Sequence, residues 1–203
     1  MANADRPRGF RPVGNLAGAP WTGKMRPYNV DSSQGTAIFK GDLVKLEDDG
    51  NIAPAAAGDR ILGVAVAFGQ DGFQAQLGNN QTSPIAVNPD NLMQTYHPAS
   101  TAGTVWVVDD PGTLFEAQST GTDAVTDIGS LADHVAGAGS TTTGLSAHEI
   151  SATSSTGVAG LRLLGVVDRP DNDISAANAD WIVQIIEHEY NTHIDWADGT
   201  PGV

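Results

Sequence analysis

No segment of this chain sustains a helical hydrophobic period; its apolar residues fall into short runs closed by Gly, Pro, Asp or Asn. That punctuation constrains the fold most, because short apolar runs between turn residues read as strands. Ile61-Leu62-Gly63-Val64-Ala65-Val66-Ala67-Phe68 is one such run, with an internal glycine, and reads as a buried strand. Gly41-Asp42-Leu43-Val44-Lys45-Leu46 alternates, stops at Glu47-Asp48-Asp49-Gly50-Asn51, and returns as Ile52-Ala53-Pro54, which is a hairpin signal. Trp181-Ile182-Val183-Gln184-Ile185-Ile186-Glu187-His188-Glu189-Tyr190 is rich in β-branched residues and favours a strand. The 24 glycines and 11 prolines supply the turns. The expected fold is all-β, a sandwich or partly open barrel.

The pattern echoes along the chain. Gly103-Thr104-Val105-Trp106-Val107-Val108, then Asp109-Asp110-Pro111-Gly112, then Thr113-Leu114-Phe115-Glu116 repeats the order of strand, acidic turn and strand. Leu163-Leu164-Gly165-Val166-Val167 answers Ile61-Leu62-Gly63-Val64. We therefore expect two echoed β units. Residues 38–100 hold the first unit and its connection, in which Phe73-Gln74-Ala75-Gln76-Leu77 alternates as a strand. Residues 101–194 hold the second, with a Gly/Ser/Thr-rich insertion at about 119–160 that reads as a structureless surface excursion. Within it, residues 127–135 are expected to make a short helical turn. Residues 195–203 read as a loose tail.

Residues 1–37 read as an extended arm. Prolines at 7, 12, 20 and 27 keep it from a regular period and bias it to extended backbone. Up to Arg26 it holds five basic residues against Asp5, about +4, so the rest of a chain of net charge −14 carries about −18. Extended, the arm would reach on the order of 120 Å. Ordering it costs roughly 1–2 kcal/mol per residue in backbone entropy, which only many contacts offset. Arginine and aromatic side chains anchor interfaces. Arg6, Arg8, Phe10, Arg11, Trp21, Arg26 and Tyr28 are therefore the expected partner-binding residues, docking on a neighbouring subunit. An acidic body repels phosphate, so no nucleic-acid partner is expected.

The constellations that suggest chemistry fail on spacing. His188-Glu189-Tyr190-Asn191-Thr192-His193 places its histidines five apart, where a helical zinc motif needs four. Gly144-Leu145-Ser146-Ala147-His148 lacks the second glycine of a nucleophile elbow. Asp171-Asn172-Asp173-Ile174-Ser175 starts like a calcium loop, but Ala176 and Ile182 stand where glycine and glutamate belong, so a capped turn is expected. The absence of cysteine excludes a disulfide framework, a thiolate zinc site and a cysteine nucleophile. No catalytic residue, metal or cofactor is expected. No apolar run is long enough to cross a membrane as a helix, and the first 17 residues lack a secretory apolar core. Trp106, Trp181 and Trp196 leave a carbohydrate-binding β-sandwich module as an alternative.

Three stretches carry a family resemblance. They are Phe39-Lys40-Gly41-Asp42-Leu43-Val44 with Gly58-Asp59-Arg60-Ile61-Leu62-Gly63-Val64-Ala65; Thr113-Leu114-Phe115-Glu116-Ala117-Gln118 through to Leu161-Arg162-Leu163-Leu164-Gly165-Val166-Val167; and Trp181-Ile182-Val183-Gln184-Ile185-Ile186-Glu187. Over about residues 38–190 the chain resembles head decoration, or cement, proteins of tailed bacteriophages and related virion proteins. The resemblance implies a non-enzymatic protein made in the host cytoplasm. It would sit on the capsid surface, often as a homotrimer, binding the major capsid protein and tying capsomers together. A head-fibre base, tail or adaptor component is the alternative within the virion.

Overall fold

The computed structural model describes residues 3–69, 95–151 and 159–190. Among these the strands are β1 (Arg11–Asn15), β2 (Arg26–Val30), β3 (Ile38–Phe39), β4 (Leu43–Leu46), β5 (Ile52–Pro54), β6 (Gly63–Gly69), β7 (Tyr96–His97), β8 (Gly103–Val108), β9 (Thr113–Gln118), β10 (Leu131–Ala132), β11 (His134–Val135), β12 (Glu149–Ile150), β13 (Leu161–Val166) and β14 (Asp180–Ile185). The one helical element among the described residues is a 3-10 turn, Val125–Asp127.

The strands form two five-stranded antiparallel sheets, in the orders β1-β9-β14-β13-β10 and β2-β8-β6-β4-β5. Two-residue ladders, β3 with β7 and β11 with β12, flank them. The expected all-β, sandwich-like class is what the chain adopts. Alternation decides which face each strand buries. Trp181, Val183 and Ile185 of β14, Phe115 and Ala117 of β9, and Leu161 and Leu163 of β13 meet Leu43 and Val64 of the second sheet in one core. Val44, Ala65, Val105 and Val107, one step out of phase, join Val30, Ile38, Ile52 and Phe68 in a second core. The second sheet is thus buried on both faces, and its edge strands β2 and β5 touch. It rolls toward closure, which gives the assembly its partly open barrel character.

The structure corrects several local expectations. β4 and β5 do pair as a hairpin, with Glu47 and Asn51 bonded across the turn. Their echo, β8 and β9, does not pair: the turn at residues 109–112 sends the chain from one sheet into the other. The echo is one of element order. The insertion is not structureless, since it carries β10, β11 and β12, and residues 131–132 and 134–135 are strand where a helical turn was expected. The alternating segment Phe73-Gln74-Ala75-Gln76-Leu77, Trp196 and the tail 195–203 lie outside the described residues. Residues 3–30 are not a free arm in the single chain. They supply β1 to one sheet and β2 to the other.

Candidate functional site

β1 and β2 are the edge strands of the two sheets, and their partners β9 and β8 are consecutive in sequence. Residues 11–30 therefore run antiparallel to the β8–β9 segment around the corner between the sheets. The register is Arg11 opposite Glu116, Asn15 opposite Thr113, Arg26 opposite Val107 and Val30 opposite Gly103. We call residues 3–30 the ribbon.

The ribbon's seat is acidic. Glu116 and Asp180 project from adjacent strands onto the outer face of the first sheet, yet they are 3% and 6% exposed. Arg8 donates to Glu116 Oε1 at 2.6 Å and to Asp180 Oδ2 at 3.0 Å. Arg11 donates to Glu116 Oε2 at 2.5 Å. Arg169, from the body, donates to Glu116 Oε1 at 2.8 Å and also to Asp180. Burial pushes the Glu116 carboxyl up, but Arg11, Arg8 and Arg169 overcome it and hold the carboxyl below its usual range. Two buried carboxylates without these guanidinium groups would be strongly destabilising.

Other contacts fix the rest of the ribbon. Gln118 accepts from the Arg6 N–H at 2.9 Å and donates to the Ala4 carbonyl at 3.0 Å. Arg6 itself is exposed and lies 3.9 Å from Asp171. Phe10 is 1% exposed within the inter-sheet core, and its N–H donates to the Gly41 carbonyl at 2.9 Å. Trp21 packs half-buried against the same core and lines a shallow hollow with Asn15, Lys24 and Asp110. Tyr28 donates to Asp109 at 2.6 Å and meets the Tyr190 hydroxyl at 2.6 Å, while Arg26 pairs with Asp109 and lies over the Tyr190 ring. Of the seven residues read as partner-binding, the single chain thus uses Arg8, Phe10, Arg11, Trp21, Arg26 and Tyr28 on its own body. It leaves Arg6 and Arg26 the most exposed charges. Sequence reasoning missed the receiving residues Glu116, Asp180 and Arg169. The signal was a lone glutamate inside the apolar run Leu114-Phe115-Glu116-Ala117.

A second polar cluster lies beside Gly9 and Phe10. Asp42, His134, Ser146 and His148 are all at most 3% exposed. His148 Nδ1 accepts from the Leu43 N–H, which places its proton on Nε2, 3.6 Å from Asp42. His134 stacks on His148 at 5.7 Å and its Nε2 meets the Ala55 carbonyl. Ser146 Oγ accepts from the His148 N–H, and the hydroxyl also bonds Asp42. The serine therefore faces the carboxylate and the backbone, not a histidine nitrogen, and the cluster pins the insertion to the start of β4. His188 Nδ1 accepts from the Tyr190 N–H, and His193 lies outside the described residues. Asp173 caps its own turn by accepting from Ser175, as expected. Trp181 is fully buried, so the sugar alternative loses that platform.

Among the described residues no group of three or more His, Asp or Glu is placed to hold a metal ion, and no helix is long and apolar enough to cross a membrane. The geometry defines a two-sheet antiparallel β protein whose N-terminal ribbon is latched by arginine to a buried acidic seat. No protein-family model, curated protein or solved structure matches the chain.

Proposed function

We propose that this chain is a structural virion protein that binds the outside of a tailed-phage capsid and stabilises contacts between capsomers, with the ribbon as its docking element. The observation that carries the reading is the ribbon itself. A segment that adds one strand to each of two sheets gains affinity from backbone hydrogen bonds, while its arginines set register. Acidic bodies of about −18 repel one another, and basic ribbons between them supply the attraction an assembly needs. The polar clusters support a non-enzymatic role, because Asp42, Ser146 and His148 are spent on holding segments together. The family resemblance supplies the shell.

Purification of virus particles followed by quantitative mass spectrometry tests the reading. The expected outcome is a fixed ratio of this chain to the major capsid protein that survives a salt wash. Its recovery only in the particle-free fraction would overturn the proposal. Electron cryomicroscopy of the same particles separates a capsid-surface position from a head-fibre base, tail or adaptor position.

A further inference from the structure

We infer that the ribbon is exchangeable, so that in assemblies the acidic seat of one copy is filled by residues 3–30 of the next. This rests on the virion-assembly reading and names the ribbon's partner as a second copy of the same chain. Removing the ribbon leaves the four-stranded sheets β9-β14-β13-β10 and β8-β6-β4-β5 in the body. It also uncovers Glu116 and Asp180 and leaves them with Arg169 in place of three guanidinium groups, and it opens the slot filled by Phe10. The seat therefore demands an occupant, and any ribbon of this sequence satisfies it equally.

The connection to the body suits a hinge. Residues 31–37 are mostly exposed and belong to no strand. They are held by local bonds, Asp31 accepting from the Ser33 N–H and Gln34 from the Thr36 N–H, and by the Ser100 N–H on the Gln34 carbonyl. Seven residues straighten to roughly 23–25 Å, enough to carry β2 away from its own body. The ribbon places the same charge of about +4 on a body of about −18 whether that body is its own or a neighbour's, so concentration decides between the two forms: neighbours held on one shell meet at high effective concentration.

The test uses the chain's lack of native cysteine. Gly14 and Leu114 stand opposite one another in the β1–β9 ladder, and a side chain at Gly14 meets only the Ala19 carbonyl, at 3.4 Å. Full-length Gly14→Cys, carrying a size tag, is coexpressed with full-length Leu114→Cys, oxidised, and run on non-reducing gels. Exchange predicts a covalent heterodimer whose yield rises with protein concentration. A Gly14→Cys/Leu114→Cys double variant that closes as a monomer, with no heterodimer from the mixture at any concentration, overturns exchange while leaving the seat intact. Free thiols in the double variant together with unprotected β1 amides in hydrogen exchange of the parent protein overturn the seat and the exchange with it. Each result is read on isolated protein, so it stands apart from the particle experiment.

Discussion

Gly9 shows how tightly the ribbon is seated. Its φ is +70°, and a Cβ there would lie 2.5 Å from both the Gly41 carbonyl oxygen and Ser146 Cβ. Gly23 has a similar φ of +85° but open space around it. Gly9→Ala should therefore cost clearly more than Gly23→Ala, which pays left-handed strain alone, roughly 1–2 kcal/mol. Urea unfolding of the two variants measures the gap; equal losses would mean that the close approach at Gly41 is not formed. The neighbouring cluster makes a pH-dependent statement. Burial raises Asp42 from 3.8 to about 6, and burial together with His134 lowers His148 from 6.5 to about 3. The His148 contribution is complete above pH 6.5 and is lost as pH falls toward 3. The Asp42 contribution runs the other way, complete below pH 3.8 and lost as pH rises through 6. Between pH 6 and 4 the two slopes, each up to about 1.4 kcal/mol per pH unit, oppose one another. His148→Asn keeps an acceptor for the Leu43 N–H but removes one slope. Relative to the parent protein, the variant should gain stability steadily from pH 6.5 down to 4.5 in urea titrations. A constant difference between the two proteins across that range would show that His148 titrates alike in the folded and unfolded states.

At the scale of elements, β1 and the Glu116 latch form one unit. Glu116 is held below its usual range, so its contribution is present above about pH 4.5 and fades as pH falls through the folded value. Glu116→Gln imitates that loss at neutral pH. Hydrogen exchange of β1 should then speed up while the β13–β14 ladder stays protected, because only the edge strand depends on the latch. Equal acceleration in both would make Glu116 a support of the whole sheet. The body strands were legible in the sequence because their apolar runs carry their own signal, as β4, β6, β8, β9 and β14 show. β1 was not. Pro12 and Gly14 interrupt its alternation, the ladder shifts register between them, and its partner β9 lies about a hundred residues away. The two-residue strands β10, β11 and β12 are too short to carry a period. The arm's arginines were legible by type, whereas their receptor, assembled from β9, β14 and Arg169, exists only once the sheet is formed. The sheet change between β8 and β9 was hidden for a related reason: an acidic Pro-Gly turn signals reversal, not which sheet the chain enters.

At the scale of the whole molecule, charge segregation sets how any association between copies would respond to salt. A net charge of −14 makes approaching copies repel, and at 0.1 M salt that repulsion is screened beyond about 10 Å. The ribbon's latch behaves differently, because Glu116 and Asp180 are buried and the Arg8 bonds are short, so salt weakens them little. The two effects give opposite salt dependences. If copies were joined by exposed pairs such as Arg6 with Asp171, association would weaken as salt rises. If they are joined through the seated ribbon, salt removes the body–body repulsion and leaves the latch in place. Sedimentation from 20 to 500 mM NaCl should therefore show the average mass of the purified protein rising with salt. Arg8→Gln should lower that mass at every salt concentration while leaving the direction of the trend unchanged. A mass that falls as salt is added would put the contact on the exposed rim and leave the seat a feature of the single chain.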